Sequence, residues 1–204
     1  PTRRERLETA DGDFMDLDWG PAGPRGTALL LHGLAGSSES GFVRTTMRRL
    51  AAAGIGGVAM NFRGCSGCEN RTRVLYHSGK SDDLDAVVRH VLARTGDGPL
   101  FLVGYSMGGN IVLKWLGEQG EAVPSRVRAA VAVSVPYHLG ACAEELEKTP
   151  LSRFYRWLLV ERLKERVLQL ERRFPGTVSP ARVAGVRTFR EFDEHVTSAL
   201  YGFG

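Results

Sequence analysis

Short apolar runs alternate with stretches of helical spacing through most of this chain, and few architectures accept that order. Leu29, Leu30 and Leu31 extend from Thr27 as a continuous apolar run ending at His32-Gly33, the pattern of a strand buried on both faces. Phe42 to Ala53 follows with helical spacing and stops at Gly54, a natural C-terminal cap. Ile55 to Met60 is a second apolar run, followed by a turn-rich loop from Asn61 to Gly79 and a helix from about Ser81 to Arg94. Ser81 with Asp82 and Asp83 suits that helix start, because carboxylates favour the positive end of the helix dipole. Leu100 to Val103 reads as a third strand, Met107 to Gln119 as a third helix and Val127 to Val135 as a fourth strand. Repeated strand–helix units predict an α/β fold, a mostly parallel sheet with helices on both faces. After Pro136 the alternation stops. A long Arg-rich helical region from about Leu139 to Arg173, then irregular sequence to Gly204, reads as a helical lid. The expected division is therefore a core over 1–136 and a lid or cap segment over 137–204.

Composition narrows the classes. The 204 residues are 43% hydrophobic and 25% charged, enough to bury one sizeable core. The formal charge of +4 is mild, and the basic residues from Arg153 to Arg173 interleave with Glu161, Glu165 and Glu171. That pattern describes a solvated helix face rather than a nucleic-acid patch, so no nucleic-acid partner is expected. No run approaches the ~18 apolar residues of a membrane span, and Pro1-Thr2-Arg3-Arg4 leads into charge rather than a signal-peptide core. A cytoplasmic location is expected, with peripheral membrane contact left open and the oligomeric state unread. Cys65 and Cys68 form a C-x-x-C, but no second pair or nearby His completes a tetrahedral site, and Cys142 reads as a core thiol. No metal and no cofactor are expected.

Gly104-Tyr105-Ser106-Met107-Gly108 is a G-x-S-x-G pentapeptide. The string alone is weak in a chain with 25 glycines. Its setting between the apolar run Leu100 to Val103 and a helix opened by Met107 is that of a nucleophile elbow, with Ser106 as nucleophile. His32-Gly33-Leu34-Ala35-Gly36 follows the first strand and so lies at the same edge of the sheet. The N–H groups of Leu34 and Met107 are the expected oxyanion donors, each worth about 3 kcal/mol of barrier. His32 itself reads as a structural loop residue.

Together with Asn61-Phe62-Arg63-Gly64-Cys65-Ser66-Gly67 and Tyr76-His77-Ser78-Gly79, these motifs resemble the YheT-like α/β-hydrolases, also called the fourth AB-hydrolase family. The resemblance extends to Asp11-Gly12-Asp13-Phe14, Lys114-Trp115-Leu116, Val133-Ser134-Val135-Pro136 and Arg190-Glu191-Phe192-Asp193. It implies an α/β-hydrolase fold and a serine hydrolase of carboxylic esters, with acylglycerol or phospholipid substrates in some relatives. It also implies that Asn61, Arg63 and His77 are scaffold.

In that family a catalytic Asp and then a catalytic His follow the serine on further strands, and the resemblance places both beyond Gly204. The fold is thus expected to be partial, with its last strands missing and the run from Ala129 to Val135 left as an unpaired edge. Downstream of Ser106 the histidines are His138, read as a hinge residue, and His195 in the lid. A non-catalytic binding module on a shortened hydrolase fold is the alternative.

Overall fold

The computed structural model describes residues 2–202. Six strands form one sheet in the order β1-β2-β4-β3-β5-β6. Strands β3 (Thr27–Leu31), β4 (Gly56–Met60), β5 (Leu100–Tyr105) and β6 (Val127–Val133) run parallel to one another. Alternation along each strand sorts side chains to two faces. Leu29, Leu31, Val58, Met60, Leu100 and Leu102 pack beneath helices α2 (Ser81–Arg94) and α3 (Met107–Gln119). Ala28, Leu30 and Ala59 face the opposite way, toward Val43, Met47 and Leu50 of α1 (Gly41–Ala52). Helices on both faces of a mostly parallel sheet are the expected architecture.

The first two strands are a correction to the sequence reading. β1 (Arg3–Glu8) and β2 (Phe14–Trp19) form an antiparallel hairpin that joins the sheet through β2 and β4. A charged run such as Arg3 to Glu8 carries no apolar alternation, so its strand character lies in its pairing. Arg4 sits opposite Asp18 and Arg6 opposite Asp16, and each guanidinium grips its carboxylate with two hydrogen bonds of 2.8–3.0 Å. Opposite charges placed directly across a ladder support the pairing, as apolar pairs do elsewhere.

One boundary also differs. β6 ends at Val133 rather than Val135, because Ser134 turns out of extended geometry with φ of 53°. Ser81 opens α2, as expected, and its hydroxyl bonds to Glu118 of α3. Helix α1 does stop where expected, with Gly54 at φ of 73°, a left-handed turn that glycine adopts without a side-chain clash.

The chain divides into two compact units, Pro1–Val135 and Pro136–Gly204. The second is helical throughout more of its length than expected. Its long helical region is two helices, α4 (Leu139–Glu145) and α5 (Pro150–Arg173), separated where Thr149 and Ser152 form a capping box ahead of Pro150. The stretch expected to be irregular contains α6 (Pro180–Gly185), α7 (Phe189–Phe192), a π-turn over Asp193–Thr197 and α8 (Ser198–Tyr201). Ser179 and Thr188 cap α6 and α7 through their hydroxyls, a polar signal easily passed over in such short helices. Among the described residues, no helix is long and apolar enough to cross a membrane.

Candidate active site

Ser106 stands between β5 and α3 with φ of 51° and ψ of −119°, a backbone conformation that L-residues rarely adopt. Such strain persists only where the surroundings fix it. Here they do. A Cβ on Gly104 would lie 2.5 Å from the Gly108 oxygen, and one on Gly108 would lie 2.5 Å from the His32 oxygen. Both glycines are therefore required for strand, elbow and helix to approach this closely. The Ser106 N–H donates to the Val133 oxygen at 2.8 Å, tying the turn to β6.

The loop after β3 abuts the elbow. A Cβ on Gly33 would fall 3.2 Å from the Ser106 Cβ, which places the next residue, Leu34, beside the serine. Among the described residues, neither the Leu34 N–H nor the Met107 N–H has a hydrogen-bond acceptor. Ala35 holds φ of 55°, and its N–H donates to the Tyr76 hydroxyl at 3.1 Å. Tyr76 was given no role in the sequence reading. It stacks on Phe62 at 5.4 Å, which in turn meets His32 edge-on at 4.3 Å, so one aromatic series braces the loop. Its signal was one of two aromatic side chains, with Phe62, in an otherwise largely polar loop.

His32 is structural, as expected. Its Nε2 accepts from the Phe62 N–H at 3.2 Å, so the proton must sit on Nδ1, which donates to the Gly33 oxygen at 2.7 Å. Both nitrogens of a side chain only 1% exposed are committed. The other histidines are engaged elsewhere: Nδ1 of His77 accepts from the Gly79 N–H, His90 pairs with Glu5, and Nδ1 of His138 caps α4. Burial, reinforced by Lys80, keeps the His77 imidazole below its ordinary pKa. His195 lies in the π-turn of the second unit.

The N-F-R-G-C-S-G segment supports the site from behind. Arg63 is 3% exposed and grips Asp83 with two bonds of 2.7–2.8 Å while also reaching Asp11 and Asp13. Burial works against its charge, and those carboxylates more than offset it, raising the guanidinium pKa. Asn61 binds the Ser38 N–H, the Asp16 oxygen and the Asp18 carboxylate at 2.9–3.0 Å. Burial would raise Asp13, yet Thr72, the Arg71 N–H and Asn70 hold it below the usual carboxylate range. Cys65 is buried and Cys68 exposed, both as free thiols. Among the described residues, no cluster of three or more metal-ligating side chains occurs. A cavity of about 720 Å³ exists at the other end of the strands, lined by Trp19, Gly56 and Gly98 among others, well away from Ser106.

Residues 28–175, more than half of the chain, match the family described by the α/β-hydrolase fold. The chain belongs to the α/β-hydrolase family. Among its relatives is the Escherichia coli protein named "Putative esterase YheT", 38% identical over 98% of this chain and 59% of the relative. Human phospholipase ABHD3 is 31% identical over 98% of this chain and 51% of its own length. The chain thus spans between half and three-fifths of these two α/β-hydrolases. The Pyrococcus furiosus esterase Pf2001 has the same fold at 20% identity, with a TM-score of 0.61 over 83% of this chain and 66% of that one. The YheT-like resemblance seen in the motifs is the one the comparisons return.

Proposed function

We propose that this α/β-hydrolase hydrolyses carboxylic esters through an acyl-enzyme on Ser106, with the Leu34 and Met107 N–H groups as oxyanion donors. The observation that carries this reading is the forced conformation of Ser106, held by glycines at the junction of β5 and α3. An idle serine would have no reason to occupy it, whereas a nucleophile lifted clear of the sheet does. The Ser106 oxygen attacks the ester carbonyl carbon and its proton passes to a base. The tetrahedral intermediate places its negative oxygen between the two amides, then collapses as the alkoxide leaves with that proton. Water releases the acyl group by the reverse sequence.

The YheT-like resemblance implies that the acid and base, which follow the serine in this fold, are supplied by sequence beyond residue 204. The substrates of this reading are of the acylglycerol, phospholipid or short-chain ester type, which relatives named as an esterase, a phospholipase and a monoacylglycerol lipase support. The test is Ser106→Ala in the complete protein. Ester turnover and labelling by a fluorophosphonate probe should both vanish, and undiminished activity would remove Ser106 from the mechanism.

A further inference from the structure

The turn after β6 repeats the strain of the elbow beside it. Tyr105 is paired with Val133 across the β5–β6 ladder, so Ser106 and Ser134 each stand one residue past the same rung. Adjacent strands are about 4.8 Å apart. Both serines have positive φ, 51° and 53°, although neither is glycine. The Ser134 turn is fixed on each side by the elbow itself. Val133 accepts the Ser106 N–H, and Val135 lies so close to Gly109 of α3 that an added Cβ there would meet its Cγ2 at 2.5 Å. The fold therefore holds a second strained serine, one strand away from the nucleophile and fixed by the same elbow.

Resting on the ester-hydrolase reading above, we infer that Ser134 is a substrate-binding residue whose hydroxyl hydrogen-bonds an oxygen in the alcohol portion of the ester. The chemistry selects that portion. The acyl chain offers no hydrogen-bonding group, and the scissile oxygen is served by the Leu34 and Met107 amides. A hydroxyl beside the nucleophile then has the alcohol side left to recognise. The substrate class that rewards it is an ester of a polyol, such as a glycerol monoester, rather than of a simple alkanol.

The experiment compares, in the complete protein, hydrolysis of a glycerol monoester and the ethyl ester of the same short acyl chain, with Ser134 intact, as Ser134→Ala and as Ser134→Gly. Both variants should lower kcat/KM for the glycerol ester about 10-fold, mainly through KM, and leave the ethyl ester within twofold. Ser134→Gly separates binding from structure, because glycine accepts the positive φ without strain and keeps the turn. Equal losses on both esters, or recovery of glycerol-ester activity in the glycine variant, would make the residue structural and overturn the inference. No change in either ester would overturn it as well. Fluorophosphonate labelling run alongside keeps the two readings apart: it depends on Ser106 and is expected to be unaffected at position 134.

Discussion

At the scale of single residues, the candidate site is built from close approaches rather than from polar contacts. Gly108→Ala brings a methyl group against the Leu31 and His32 carbonyls, which are backbone and cannot swing away. A stability loss of about 2–3 kcal/mol is expected, read as a lower urea midpoint, with slower fluorophosphonate labelling of Ser106 because the elbow must move. A variant with unchanged midpoint and labelling would show that the approach is looser than described. Arg63 makes the opposite case, a position set by charge. Arg63→Met leaves Asp13 and Asp83 buried without their shared cation, at a cost of about 3–5 kcal/mol, and the urea midpoint measures it. The elbow was legible in the sequence because glycine spacing between an apolar run and a helix has few other meanings. The strain at Ala35 and Ser134 was not, since neither residue type advertises a positive φ.

At the scale of elements, the β1–β2 hairpin predicts acid sensitivity. Burial raises the carboxyl groups of Asp16 and Asp18, but Arg6 and Ser66 for one, and Arg4 and Asn61 for the other, more than offset it, so both are lowered. The folded state then binds these protons more weakly than the unfolded chain. Its extra stability is present above the ordinary carboxylate pKa of about 4 and is lost as pH falls through the lower folded values. Urea midpoints should be level from pH 7 to 5 and drop below about pH 4; a midpoint unchanged at pH 3 would contradict this. The same hairpin shows where sequence reading failed. Parallel strands buried on both faces announce themselves as apolar runs, and β3, β4 and β5 were found that way. β1, a run of charged residues, can be recognised only once its carboxylate partners on β2, 10 to 14 residues away, are known, whereas Met15, Leu17 and Trp19 alternating with Asp16 and Asp18 were a legible strand pattern that the reading passed over. Short capped helices after Arg173 were missed for a related reason, their signal being one hydroxyl each.

At the scale of the whole molecule, the sheet has one guarded edge and one open edge. β1 ends the sheet with Arg3, Arg4, Glu5, Arg6 and Glu8, charges that discourage further pairing. β6 ends it with Val131 at 53% and Val133 at 37% exposure, and among the described strands it pairs only with β5. The 204-residue chain should therefore self-associate on size-exclusion chromatography, and Val131→Lys should shift it toward monomer with little change in stability. A sharp monomer peak for the unaltered chain would count against an adhesive β6. The strand order has a consequence for synthesis. From β4 onward, each strand released by the ribosome finds its neighbour already made: β4 meets β2 and β3, β5 meets β3, and β6 meets β5. Assembly can keep pace with translation, adding parallel strands outward without waiting for sequence still to come, and a pause after β5 would leave Ser106 emerging onto a scaffold whose close approaches are already half formed.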